Sequence, residues 1–212
     1  MARTIASDHD DKRQAILKTA ARLFSEEGYG RASMSAVASA CGISKANIYH
    51  YYPGKEALLF DILDSHLSDL RDRIGGLRFS SDNPGDQLRA IVTELLLAYE
   101  GADAEHAVQL NAIAALPEAK QEILRGYQRD LVRIVRDRIR RLAPASVAED
   151  PARLRSITMS VFALVNWHYQ WDGKASAAAR RAYADLVCDL VIGGLSQMDG
   201  KALQDLREIR KV

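Results

Sequence analysis

The chain is poor in the residues and patterns that mark several protein classes. Its 212 residues include only two cysteines and five prolines. Cys41 in a turn region and Cys188 in an apolar stretch suit small buried side chains better than a disulfide or a metal site. Strand-like alternation is nearly absent, and apolar residues recur at helical spacing from end to end, so no sheet is required. No apolar run is long enough to span a membrane, and Met1 to Asp11 is polar and lacks the apolar centre of a signal peptide. A cytoplasmic location is therefore expected. There is no His-Glu-x-x-His, no Cys pair, no Gly-rich phosphate loop and no nucleophile elbow, which leaves catalysis without a signature. His66, His106 and His168 read as single packed or pocket-lining groups rather than a metal set. Internal repeats and low-complexity tracts are missing as well. The net charge is only +1, so bulk electrostatics does not call for a nucleic-acid partner.

What the chain does have is a 48% hydrophobic, 27% charged composition, which fits a globular protein of one or two domains with a sizeable core. Its most informative stretch runs from Ser33 to Leu58. Ser33 is a good N-cap, and Met34, Val37 and Ala38 fall on one face of the short helix that follows. Cys41-Gly42 ends that helix, because glycine can take the left-handed conformation that closes it, and Ser44 caps the next one. The connection is a tight helix-turn-helix turn. Ile43 and Ile48 face the first helix, leaving Lys45, Asn47, Tyr49 and His50 to point outward, and Pro53-Gly54 stops the second helix. Between Gly28 and Lys55 stand Arg31, Lys45 and Lys55 with no Asp or Glu, a local charge of +3. Hydroxyls from Ser33, Ser35, Ser44, Tyr49, Tyr51 and Tyr52 add the donors that phosphate contacts use.

At these residues the chain resembles the tetracycline-repressor (TetR) family of bacterial one-component regulators. The resemblance runs over about residues 11 to 60. It rests on an amphipathic first helix (Ile16, Ala20, Leu23, Phe24), Glu27-Gly28-Tyr29, the Ser33-Met34 cap, Ala-Cys-Gly-Ile-Ser-Lys, Ile-Tyr-His-Tyr-Tyr and Lys55-Glu56-Ala57-Leu58. It implies that Ser33 caps its helix and touches a phosphate, and that Lys45 and Asn47 face the groove. Tyr49, His50 and Lys55 should grip the DNA backbone. The DNA-binding set is then Arg31, Ser33, Ser44, Lys45, Asn47, Tyr49, His50 and Lys55. Asn47 stands where the family more often has Thr or Ser, and an Asn can bridge the edge of adenine with about 1 to 3 kcal/mol of discrimination. Tyr52, and Tyr51 as an alternative to a surface role, are candidates for the small domain's core.

Beyond this segment the periodicity predicts helices over 54–74, 86–100, 105–116, 118–142, 151–171 and 175–197, with an amphipathic tail at Leu203, Leu206 and Ile209. The first has Leu58, Leu59, Ile62, Leu63, His66, Leu67 and Leu70 on its inner stripe and is a natural lever between head and body. The expected architecture is all-α: a three-helix helix-turn-helix domain at 1–54, then a helical-bundle ligand-binding and dimerisation domain at 55–212. The helices at 151–171 and 175–197, the second rich in Ala and Gly with Tyr183, Leu186, Leu190, Val191 and Leu195, are expected to pair with a second copy as a four-helix bundle; packing within one chain is the alternative.

The candidate effector contacts are Tyr127, Arg129, Asn166, Trp167, His168 and Trp171. Trp and Tyr suit a pocket wall, and they equally suit a core or a dimer interface. The Asn-Trp-x-x-x-Trp run also resembles family members that respond to acyl-CoA thioesters or related acids. Arg125, Arg129, Arg133, Arg136 and Arg140 form one stripe on the 118–142 helix, either for coenzyme A phosphates or as a solvated face balanced by Glu122, Asp130 and Asp137. No cofactor, metal or membrane partner is expected. The sequence is thus read as a homodimeric repressor of a palindromic operator released by a small molecule, with a constitutive DNA-binding protein and a helical enzyme as alternatives.

Overall fold

The computed structural model of the protein describes residues 2–198, and the tail at Leu203, Leu206 and Ile209 lies outside them. Among the described residues there are ten α-helices, one 3-10 turn and no strand. The first four helices are α1 (Ala2–Glu27), α2 (Met34–Ala40), α3 (Lys45–Tyr51) and α4 (Lys55–Gly75). Local chemistry sets their ends. Ser33 accepts the Ala36 N–H to cap α2, and Ser44 accepts the Asn47 N–H to cap α3. Gly28 after α1 and Gly42 after α2 take φ +85 and +66, the left-handed geometry that closes a helix at little cost only for glycine.

Six helices follow: α5 (Pro84–Ala98), α6 (Asp103–Ala112), α7 (Glu118–Leu142), α8 (Ala145–Ala148), α9 (Pro151–Asp172) and α10 (Ala177–Ser196). The sequence expectation for α5 began two residues late. Asn83 accepts from the Gly85 and Asp86 N–H groups and Pro84 sits at the first helical position, so the cap lies ahead of Asp86. Likewise α6 ends at Ala112, and the chain tightens into a 3-10 turn over Ile113–Ala115 before Pro117.

Packing divides the described residues into two compact units, 2–69 with 101–127 and 70–100 with 128–198. This grouping differs from a cut at residue 54: the first part of α4, the whole of α6 and the start of α7 pack with α1–α3. In the first unit Ile48, Leu58, Leu59, Leu63, Leu67, Val37 and Leu124 are fully buried. Each such aliphatic side chain contributes roughly 1.5–3 kcal/mol through removal from water. In the second unit α5 packs closely on α10, and Leu88, Ile91, Leu95 and Leu96 meet Val161, Val165, Val187 and Cys188.

A buried cation also organises the second unit. Arg180 is 1% exposed, and its guanidinium donates to the carbonyls of Ala175 (3.1 Å), Leu96 (3.3 Å) and Gly173 (3.0 Å). It ties the end of α5 to the α9–α10 turn, supplying donors to the carbonyls of Leu96 and Gly173 at helix C-termini and of Ala175 in the turn. Both cysteines are free thiols; Cys188 is buried, which pushes its thiol up to about 11, and Cys41 is half-buried.

Candidate nucleic-acid interface

The helix-turn-helix segment is built from two short helices with few anchors. α2 buries Met34, Val37 and Ala38, and α3 buries Ile48 alone. The turn between them is held by Ile43 N–H donating to Ala38 O at 3.0 Å and Gly42 N–H to Ser39 O at 3.0 Å. A link below fixes the end of α3: Tyr52 donates to Asp61 Oδ2 at 2.5 Å, and Arg13 donates to Asp61 Oδ1 at 2.5 Å. Burial and the Asp61 hydrogen bond both raise the pKa of Tyr52, so the phenol stays protonated and donating. Tyr52 is a core residue, whereas Tyr51 is half-buried and stacks on His9 with ring centroids 4.9 Å apart.

With Ile48 and Tyr52 inward and Tyr51 half-buried, the remaining residues of α3 are open to solvent. Ser44, Lys45, Asn47, Tyr49 and His50 are all exposed, as are Arg31 and Ser33 ahead of α2. The Ser33 and Ser44 oxygens accept backbone N–H groups, which leaves each hydroxyl hydrogen able to donate outward. Arg31 Nε donates to Glu27 O at 2.7 Å, leaving its terminal nitrogens on the surface side. Glu56, the first acid after the basic stretch, is paired with Lys120 at 2.8 Å. Lys55 is differently engaged: its ammonium donates to Tyr29 O, Gly30 O and Ala32 O. The result is a short, acid-free helix face rich in hydrogen-bond donors.

The six candidate effector residues are divided. Tyr127 belongs to the first unit, where its hydroxyl donates to Asp64 Oδ1 at 3.1 Å. The other five belong to the second. Asn166 Oδ1 accepts from the buried Tyr99 hydroxyl at 3.0 Å, and burial raises the Tyr99 pKa. His168 is 1% exposed and packs on Trp171 and Tyr183 at 4.7 and 4.5 Å. Trp167 and Trp171 instead present 62% and 59% of their surface to solvent, and Arg129 is exposed. Along the α7 stripe, Arg133 pairs with Asp130, Arg136 with Asp137, and Arg125 with Gln121. A surface cleft of about 450 Å³ between the end of α4 and α7 involves Arg71, Gly75, Gly76 and Arg133, and none of the six.

Two of the three histidines singled out in the sequence meet in a buried polar cluster of the first unit. His66 on α4 and His106 on α6 have ring centroids 6.2 Å apart, with the buried Gln109 beside them. Burial, and secondarily His106, hold the His66 imidazole well below its ordinary range, at about 4. His168 is not part of this pair; it packs on Trp171 and Tyr183 in the second unit. Among the described residues no group of three or more His, Cys, Asp or Glu could hold a metal ion.

Residues 16–62 match the profile of bacterial regulatory proteins of the tetR family, and residues 81–195 match the tetracyclin repressor-like C-terminal domain. The chain belongs to the TetR family. A TetR-family regulator from Bordetella parapertussis 12822 superposes with a TM-score of 0.79 at 31% identity, over 90% of this chain and 95% of that one. AibR, solved with isovaleryl coenzyme A and operator DNA, gives a TM-score of 0.71 at 25% identity, over 84% of this chain and 97% of that one. The transcriptional repressor KstR2 of Rhodococcus jostii (strain RHA1) is 32% identical over 100 residues, 47% of this chain and 48% of its own length. Curated relatives are matched over only part of their length, 29%, 63% and 48% for three of them. No helix among the described residues of this TetR-family chain is long and apolar enough to cross a membrane.

Proposed function

We propose that the protein is a homodimeric, ligand-responsive DNA-binding transcriptional regulator of the cytoplasm, a repressor that leaves a palindromic operator when a small molecule binds. The observation that carries this reading is α3, anchored by Ile48 and Tyr52 while Lys45, Asn47, Tyr49 and His50 are open to solvent. Residues 1–54 supply DNA contact and residues 55–212 supply effector binding and dimerisation. Asn47 and Lys45 meet base edges, and Arg31, Ser33, Ser44, Tyr49 and His50 meet phosphates.

The dimer contact is assigned to α9 and α10. Met159, Leu164, Trp167 and Trp171 on α9 and Leu186 and Leu190 on α10 are large apolar side chains left exposed in the single chain. Apolar surface of this extent is what an interface covers, and two α-helical pairs in isologous contact make a four-helix bundle. Such a dimer presents two α3 helices to half-sites about 34–36 Å apart, or a multiple of that.

An acyl-CoA or related acid is the effector class this reading favours, supported by the likeness to AibR, whose structure holds isovaleryl coenzyme A. Arg129, Asn166 and His168, all of the second unit, are assigned to effector contact, while the exposed Trp167 and Trp171 are assigned to the dimer. The effector acts by shifting population between head separations, and only to the extent that it binds the two states differently. Fluorescence anisotropy on the DNA flanking the protein's own gene, with free acids and their coenzyme A thioesters, tests this. Release by a thioester and not its free acid is expected; tight binding unmoved by any of them overturns the effector class, and no specific binding overturns the regulator.

A further inference from the structure

Lys55 opens α4, and its side chain runs back to the segment that joins α1 to α2. Its ammonium donates to Tyr29 O at 2.6 Å, Ala32 O at 2.8 Å and Gly30 O at 3.2 Å. An ammonium has three N–H donors and no more, so these carbonyls saturate it. The same nitrogen lies 4.5 Å from the centroid of the Tyr29 ring, which itself packs edge-on against Phe24 at 5.3 Å. The segment it grips turns on Gly28, whose carbonyl accepts from the Arg31 and Ala32 N–H groups at 3.2 Å each. Two residues of the DNA-binding set, Arg31 and Ser33, are carried at its far end.

Three carbonyl oxygens drawn toward one point repel each other, and they would also repel a phosphate. A cation among them removes both effects and holds the peptide planes in one orientation. The segment's other ties are to α1 and within the turn, through Arg31 Nε to Glu27 O, the Gly28 carbonyl and the Tyr29 ring on Phe24, and only Lys55 reaches it from α4 with three hydrogen bonds; of its side chains Ala32 is buried, Tyr29 half-buried and Arg31 exposed. We propose that Lys55 is a positioning residue for DNA binding. It holds the Gly28–Ala32 segment so that Arg31 and Ser33 meet phosphates, and it is not itself a phosphate ligand. This rests on the DNA-binding reading above.

The two roles differ in salt dependence and in coupling. Each phosphate contact adds about 0.9 to the slope of log affinity against log salt, whereas a cation spent on carbonyls adds none. The experiment is an anisotropy titration of the full chain on a fluorescent duplex of the DNA flanking its own gene, at several salt concentrations. Native protein, Lys55→Met, Arg31→Ala, Lys45→Ala and the double variants with Lys55→Met are compared, at a temperature where circular dichroism shows each one folded. Failure of the native protein to bind overturns both readings and is seen before any variant is compared.

Lys55→Met is expected to weaken binding about tenfold with the salt slope unchanged, while Arg31→Ala lowers the slope by about 0.9. In the Lys55→Met background Arg31→Ala should cost at least about threefold less than in the native chain, because Arg31 has already lost its placement; Lys45→Ala should cost the same in both. A merely structural role would not couple Lys55 to Arg31 and spare Lys45. A slope lowered by a whole contact in Lys55→Met, or additivity with Arg31→Ala, or unchanged binding, each overturns the proposal. If Lys55→Met does not fold, Lys55→Gln, which keeps two N–H donors without the charge, carries the same comparison.

Discussion

α3 and the end of α9 are both rich in ring and polar side chains, yet their residues are disposed in different ways. In α3 one side chain, Ile48, is buried, Tyr51 is half-buried, and Lys45, Asn47, Tyr49 and His50 are outside. At the end of α9 the side chains alternate: His168 and Val165 are inside, Trp167 and Trp171 are mostly outside, and Asn166 is held by Tyr99. A helix that must enter a groove needs one anchor and a polar remainder. A helix that serves a core and a second surface needs apolar groups on both sides, and Trp satisfies either one. The lesson is that polar exposure on a short capped helix identifies a surface for recognition, while aromatic content on a long helix does not say which surface it belongs to.

The sharpest way to break this comparison is to charge the second surface. Leu186→Glu with Leu190→Glu is expected to yield monomers by light scattering and to cost at least about a thousandfold in specific DNA affinity, since one protomer offers a single half-site. A variant that stays dimeric and binds normally would return those leucines to ordinary exposed residues. Next comes the anchor of the first surface. Ile48→Ala should destabilise the chain by about 2–5 kcal/mol in denaturant unfolding, the usual cost of a cavity in place of a buried Ile. A loss under about 0.5 kcal/mol would mean that α3 is not held by that side chain.

The His66–His106 pair gives a smaller effect with a defined pH window. His66 titrates near 6.5 when unfolded and near 4 when folded. Between those values the unfolded chain binds the extra proton, so stability present above pH 6.5 is lost as pH falls toward 4, on the order of 3 kcal/mol. Chemical denaturation of native protein and His66→Gln across this range should show the slope flattened in the variant; an identical slope would show that other groups set it. Smallest is the base-reading contact. Asn47→Ala should remove about 1–2 kcal/mol of preference at one base pair and leave the salt slope unchanged. Equal losses on cognate and random duplexes would count against a base contact.

Most of the first surface was legible in the sequence, because it is written in local signals. Ser33 and Ser44 cap the helices expected of them, Gly42 takes a positive φ, and α7 spans Glu118–Leu142 as its periodicity requires. The carbonyl contacts of Lys55 and Arg180 were not legible. Lys55 reaches carbonyls 23 to 26 residues earlier in the chain and Arg180 one 84 residues earlier, distances over which periodicity carries no signal. Neither pattern nor propensity reports where a flexible cation finds carbonyls at a helix end or in a loop. α8 was missed because four residues are too few to show a period.

Selection of bound duplexes from a random-sequence pool, followed by sequencing, tests the central claim most directly. The account expects an enriched inverted repeat whose two halves are centred about 10 base pairs apart or a multiple of that, the spacing of successive major-groove faces. A pool that returns without an enriched sequence would contradict it.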